Sequence, residues 1–333
     1  MPFPTTTPSL EQSKDRGLQD AFDSLYVRSV ESLDPAISGA FQMDSTDGDR
    51  EVYELKTDTD QWRIWNRGDE RVITTFGTLR KTVVVDDYEL TLALHENDKN
   101  DDRSGRKAQE HIESAADQAA DLLDRQFASL ITETADTKTL KRINNCADGF
   151  ALFSSSHAEG SNIVTGLGTD TIEQIQKSFW LYFKTFQDKR MIKKTTERMF
   201  NGTEVRSAKH LLFFPLAKEE LFRKSFDQDS ILAFITQPGV AAAAETNYVK
   251  KFFQNVVLVP YHRITGADWF IRTDMPGKSK KPFIHLQRQG PRLLTRTVQN
   301  SDHGFMTKVE IWGWDKREGV DNLNWNLIHK INN

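Results

Sequence analysis

The sequence is poor in everything that staples, anchors or exports a chain. It has one cysteine, Cys146, in 333 residues, which excludes an internal disulfide framework and a cysteine-based zinc site. No apolar run is long enough to span a membrane, so no membrane partner is expected. The first residues, Met1-Pro2-Phe3-Pro4-Thr5-Thr6-Thr7-Pro8, lack the basic start and apolar stretch of a secretory signal, and export is not expected. Charge of one sign is missing too: 44 basic against 48 acidic residues leave a net charge of -4, which gives no global footprint for nucleic acid. DNA, if a partner, is then met locally or by enclosure. No internal repeat is visible, which argues against a solenoid or propeller.

What the chain does have is a long polar ribbon followed almost at once by a long helix. The ribbon reads as two arms, Glu51 to Trp65 and Arg71 to Val85, folded about Asn66-Arg67-Gly68-Asp69, whose Asn, Gly and Asp suit a tight turn. Thr, Val, Ile, Trp and Tyr favour extended backbone in both arms. Glu54, Lys56, Asp58, Asp60, Arg63, Arg80 and Lys81 interrupt them, so neither face offers a continuous apolar surface. A two-stranded ribbon alone is marginal in water, and a neighbouring copy of the same chain is the simplest support for it. Trp62 and Trp65, with Arg67, Asp69 and Arg71 at the tip, are the candidate contacts with that neighbour, since large exposed aromatics anchor interfaces.

Ala108, Ile112, Ala116, Ala119, Leu123, Phe127 and Leu130 follow in steps of three or four, one stripe of an amphipathic helix from about Arg103 to Ile131, roughly 45 Å long. Glu110, Glu113, Asp117, Asp121 and Asp124 fall off the stripe and read as a solvated acidic face. Residues 1 to about 45, with scattered Pro, Thr and Ser and one weak helical patch from Leu18 to Val30, read as an extended arm ordered by contact. Beyond a polar loop from Asp136 to Gly168, Asp170 with Glu173 is the expected cap of a helix that buries Ile172, Ile175, Phe179, Phe183 and Phe186. Leu211 to Pro215 reads as a buried strand and Leu221 to Phe226 as a helix. The tail alternates as strands at Phe283 to Gln287, Leu293 to Val298, Phe305 to Trp314 and Leu323 to Ile331. This is α+β without a repeating βαβ rhythm.

The chemical motifs are weak. Ser154-Ser155-Ser156-His157 invites a hydrolase reading, but no Gly-x-Ser-x-Gly elbow surrounds it, and a turn with local hydrogen bonds is the better account. Gly166-Leu167-Gly168 lacks the third glycine and the preceding strand of a dinucleotide loop. Asp44, Asp47 and Asp49 do not keep the spacing of a calcium loop. No catalytic, cofactor or metal residues are assigned. Lys189 to Lys209, with Arg190, Lys193, Lys194, Arg198 and Arg206, reads as a solvated or ion-paired basic face rather than a phosphate site.

The order of arm, ribbon, long helix, α/β region and closing sheet resembles the major capsid proteins of tailed phages, the HK97-like fold, and more narrowly the Mu-like major head subunit family. Leu152 to His157 with Asn162, Leu211 to Pro215 with its following helix, and Trp269-Phe270 with Pro291 and the strand from Gly304 to Trp314 carry the likeness. It implies an N-terminal arm (1-45), a β-hairpin extended loop (46-85), a peripheral domain (86-164 and 271-333) with spine helix 103-132, and an inserted α/β axial domain (165-270). It further implies a non-enzymatic subunit that forms pentamers and hexamers of itself and closes into an icosahedral shell around double-stranded DNA. A separate scaffolding protein and a portal are the implied partners, a decoration protein is a further one, and the implied location is the virion capsid, assembled in the host cytoplasm. The rival readings are an encapsulin-like nanocompartment shell and, behind it, a Ser/His hydrolase.

Overall fold

The computed structural model describes residues 10–31, 33–56, 78–95, 97, 106–136, 138–190, 198–200, 202–227, 230–232, 244–246, 248–253, 255–276, 280–296 and 306–333. Helix α1 spans Leu10–Glu31 and α2 Pro35–Ser38. Strands β1 (Phe41–Ser45), β2 (Arg50–Lys56), β3 (Thr78–Val84) and β4 (Asp86–His95) follow, then the long helix α3 (Arg106–Thr132). The second half contains β5 (Ile163–Thr165), α4 (Ile172–Gln187), α5 (Gly202–Ser207), β6 (Lys209–Pro215), α6 (Glu219–Phe226), β7 (Ser230–Leu232), β8 (Ala244–Thr246), α7 (Tyr248–Phe252), β9 (Val256–Tyr261) and β10 (Trp269–Asp274). It closes with β11 (Phe283–Arg296), β12 (Val309–Asn322), a 3-10 turn at Trp325–Leu327, and β13 (Ile328–Asn332).

Two sheets hold the molecule together, in the orders β1-β11-β12-β4 and β5-β13-β10-β6-β9. In the first, β1 runs parallel to β11, while β11, β12 and β4 are antiparallel neighbours. The tail segments read as separate strands at Phe283 and Leu293 are one long strand, β11, whose register shifts between Gln287, Gln289 and Arg292 around Gly290-Pro291. Proline has no N–H for the ladder, so an irregularity sits where the sequence suggested a break. The last strand, β13, pairs with β10 and β5 in the second sheet.

Helix α3 packs against both sheets through its apolar stripe. Phe127, fully buried, has four ring neighbours: Phe41 and Phe283 of the first sheet at 6.2 and 5.8 Å, and Phe213 and Tyr261 of the second at 5.0 and 5.6 Å. Each such burial contributes about 1.5–3 kcal/mol. The second sheet is covered on both faces. Along β6, Leu211 and Phe213 join the core shared with α3, while Leu212 and Phe214 join a second core with Phe179 and Phe183 of α4 and Phe222 of α6. A strand buried on both faces reads as the continuous apolar run seen at Leu211 to Pro215.

Two local expectations shift. Helix α4 is capped by Thr171 rather than Asp170: the Thr171 hydroxyl accepts from the Gln174 N–H, and the Gln174 side chain accepts from the Thr171 N–H. Thr171 and Gln174 satisfy the same rule as Asp170 and Glu173, one residue later, after Gly168 takes a positive φ. The arm, expected to be extended, contains the 22-residue α1. Its Phe22 is fully buried against Ile112, Ala115 and Ala116 of α3 and stacks on Trp314 of β12 at 5.3 Å. Gln19 holds the same helix to the irregular part of β11, its side-chain carbonyl accepting from the Leu293 N–H at 2.6 Å.

Candidate assembly surface

Every candidate contact at the ribbon tip, Trp62, Trp65, Arg67, Asp69 and Arg71, lies outside the described residues. The root of the ribbon is described, and it is fixed rigidly. Strands β2 and β3 pair antiparallel from Arg50↔Val84 to Lys56↔Thr78. Val83 and Val85 sink into a core with Ile284, Leu286 and Leu323. Lys81, one of the charges that interrupt the ribbon, is buried: its Nζ lies 2.9 Å from Asp321 Oδ1 and donates to the Asn145 carbonyl at 2.5 Å. Asn144 donates to the other Asp321 oxygen at 2.8 Å. Gly319 of β12 permits the crossing, since a Cβ there would stand 2.5 Å from the Val84 carbonyl oxygen. Outside this buried anchor Asp49 pairs with Arg288 and, at 3.1 Å, with Arg317, which also holds Asp87. Asp44 accepts from the Tyr53 hydroxyl at 2.8 Å. Of the aspartates that faintly resembled a calcium loop, Asp44 is thus held by β2 and Asp49 by β11 and β12, and no cluster of three or more metal-binding side chains occurs among the described residues.

Helix α3 is tied to the rest of the chain by charge as well as by its stripe. Asp124, expected on the solvated face, is 5% exposed. It accepts from Tyr261 Oη at 2.8 Å and from Arg263 Nε at 2.5 Å, while Arg263 Nη2 reaches Asp121 at 2.6 Å. Burial and the two aspartates push the Tyr261 phenol well above its ordinary range. Two residues on, Gln126 donates to Glu318 of β12 at 3.0 Å. Glu318 also meets Lys316 at 3.1 Å and His285 at 2.9 Å. Burial alone would raise the Glu318 carboxyl, but Lys316 and His285 more than reverse this and hold it at about 2.

The Ser-His loop is structural. His157 Nδ1 sits 2.6 Å from Asp148 Oδ2 and Nε2 3.2 Å from the Leu152 carbonyl, and the ring stacks on Trp325 at 5.3 Å. Both ring nitrogens are committed to oxygens other than a serine hydroxyl. Ser154 Oγ instead accepts from the Ser156 N–H at 3.1 Å, and Asn162 Oδ1 accepts from the Ser154 N–H at 2.8 Å. Cys146 is buried, and burial, reinforced by Asp148, pushes its thiol up and away from nucleophile chemistry. A groove of about 130 Å³ is bounded by Phe22, Leu90, Ala119 and Trp314.

The sequence reading missed one exposed apolar surface. Trp180 and Leu181 of α4 and Phe252 of α7 stay 37–48% exposed, with the Arg206 guanidinium 6.0 Å above the Phe252 ring. Their signal was present in α4, where both residues lie off the Ile175, Phe179, Phe183 stripe and yet are apolar.

No family model matches the sequence, and no curated protein matches it. Solved structures do match in shape. The capsid of Ralstonia phage GP4 aligns with a TM-score of 0.55 at 13% identity, covering 88% of this chain and 87% of that one. A Mycobacterium phage Cain structure gives 0.52 at 12%, covering 89% of each chain. The capsid of cyanophage P-SCSP1u gives 0.52 at 8%, over 88% of this chain and 86% of that one. The chain has the HK97-like fold. At such identities the likeness is one of architecture, and it extends over nearly the whole length of both partners. Within this fold α3 packs against both sheets, and β3 of the ribbon packs against β11 and β12.

Proposed function

We propose that this chain is the major capsid protein of a tailed phage, of the Mu-like head-subunit type, and acts by assembly rather than catalysis. The observation that carries the reading is the fold shared with phage capsids over nearly nine-tenths of the chain. The ribbon root adds physical support. A buried ion pair under a two-stranded ribbon makes sense if the ribbon bears load from outside its own chain, because such a ribbon alone is marginal.

In this reading residues 1-45 are the arm, 46-85 the extended loop, 86-164 and 271-333 the peripheral domain, and 165-270 the axial domain. Trp62, Trp65, Arg67, Asp69 and Arg71 contact a neighbouring subunit. Interfaces of about 1,600 Å² each, repeated by symmetry, close pentamers and hexamers into an icosahedral shell around double-stranded DNA. The partners are other copies of the chain, a separate scaffolding protein, a portal and, in the finished virion, a decoration protein. Assembly takes place in the host cytoplasm.

Expression of the chain alone and with the product of the neighbouring gene, followed by negative-stain electron microscopy and a sizing column, tests this. Closed polyhedra or five- and six-fold capsomers are expected under one of the two conditions. A monodisperse monomer under both would overturn the reading.

A further inference from the structure

Tyr182 of α4 packs against two histidines of the second sheet, His210 at 5.7 Å and His329 of β13 at 5.1 Å between ring centroids. His210 belongs to β6, the two strands flank β10, and neither imidazole reaches solvent. His210 Nε2 donates to the Val205 carbonyl at 3.0 Å, so its Nδ1 accepts, from the Tyr182 hydroxyl at 2.9 Å. The Tyr182 oxygen in turn accepts from the Thr273 hydroxyl of β10 at 2.6 Å. His329 is different: neither of its ring nitrogens has a hydrogen-bond partner among the described residues. Tyr182 and Phe186 of α4 meet its ring at 72° and 80°, both at 5.1 Å. A buried polar group left without a partner is costly, and here the cost falls directly beneath a helix.

The charges around His329 oppose another one. Burial, and then Lys189, His210 and His157, hold its pKa well below the ordinary 6.5, while burial brings His210 down to about 4. Lys189, buried just beyond α4, donates to Asn326 Oδ1 at 2.8 Å. Glu159 accepts from Trp325 Nε1 at 2.8 Å and acts on Lys189, not on either ring. His157 is held by Asp148. On β10 Arg272 is taken up by Asp274 and the Ala36 carbonyl, and on β13 Lys330 is taken up by Asp268. β5 contributes only Ile163, Val164 and Thr165.

We propose that His210 and His329 form an acid-sensitive latch beneath α4. Protonation turns His210 Nδ1 into a donor facing a hydroxyl that already donates to it. At His329 it creates a cation with no acceptor, near the cation of Lys189. Lifting α4 brings both rings to water and removes the conflict, so acid opens this layer while α3 and the first sheet stay closed. The latch rests on the buried cluster alone and stands whether or not the chain builds a shell.

The sign follows from proton uptake. Both histidines bind a proton less readily in the folded chain, so their contribution is complete above about pH 6.5 and falls away below it. Each proton raises the opening constant by up to about tenfold per pH unit. Lys189, whose amine is pushed down only to about 7, is largely charged across this range and adds little slope.

Hydrogen exchange of the full folded chain, read by mass spectrometry from pH 7.5 to 4.5 and corrected for intrinsic exchange rates, tests the latch. Peptides from α4 are expected to open more readily as the pH falls, approaching a hundredfold per pH unit by about pH 5, two protons' worth. Peptides from α3 and β12 should stay level. His329→Leu should reduce the α4 slope to about tenfold per pH unit and leave protection at pH 7.5 equal or greater. Flat α4 protection across the range overturns the proposal, as does opening of α3 and β12 in step with α4, or a slope in His329→Leu equal to that of wild type. The wild-type profile decides the first two points even if the variant fails to fold.

Discussion

Lys81 Nζ stands 2.9 Å from the Asp321 carboxylate, and neither side chain reaches solvent. The pair joins β3 to β12 at the root of the ribbon. Lys81→Ala removes one charge and leaves the other buried without its partner, which costs about 3–5 kcal/mol. Replacing both residues by apolar ones of similar volume should recover most of that loss. Chemical denaturation of the three variants checks the order, and hydrogen exchange should place the first opening in β2 and β3. A Lys81→Ala variant as stable as wild type would mean that the pair contributes no net stability to the ribbon root.

Gly319 gives a second test of the same junction. Adding one methyl group puts a carbon 2.5 Å from the Val84 carbonyl oxygen, which is main chain and cannot swing aside. Gly319→Ala is expected to cost about 1–3 kcal/mol by overpacking and to displace β3 from β12. Thermal unfolding reads the cost. Exchange of the β3 amides, fast in Gly319→Ala and slow in a Gly313→Ala control, reads the location, since a Cβ at Gly313 meets only ordinary contacts at 3.7 Å.

Periodic features were legible in the sequence, and long-range polar pairing was not. Ile112, Ala116, Leu123, Phe127 and Leu130 mark the buried face of α3 because a helix repeats its faces regardless of what covers them. Asp124 was misread for the same reason: it falls on the face that periodicity assigns to water, and its partners Tyr261 and Arg263 are 137 and 139 residues away. Lys189, at the head of the basic run, shares that cause: it is buried, and its partner Asn326 lies 137 residues away. The arm was misread because the weak patch at Leu18 to Val30 gains its helix from Phe22 docking on Trp314, not from its own pattern.

The clamp on Asp124 should be cooperative. Tyr261→Phe removes one donor to a buried carboxylate and is expected to cost about 2 kcal/mol. Arg263→Ala leaves that carboxylate short of its cation and should cost about 3 kcal/mol. Because both act on one group, the double variant should differ from the sum by more than about 0.5 kcal/mol. Strict additivity in denaturant melts would show that the two side chains act on α3 independently.

Glu318 sets the acid limit of the junction between α3 and the first sheet. Its carboxyl is held at about 2 in the folded chain, against an ordinary value of 4.5. A carboxyl with a lower pKa when folded binds fewer protons folded than unfolded, so its contribution is complete above about pH 4.5 and is lost as the pH falls toward 2. The shift corresponds to a contribution on the order of 3 kcal/mol. Glu318→Gln keeps the shape and the hydrogen-bonding capacity but not the charge, and leaves Lys316 and His285 without their common anion. The variant is therefore expected to be less stable than wild type at pH 7, with the difference narrowing between pH 4.5 and 2. Urea midpoints at half-unit steps across that window measure it. Parallel pH curves for the two proteins would show that Glu318 titrates alike in the folded and unfolded chains, and that the contacts with Lys316 and His285 do not stabilise its charge.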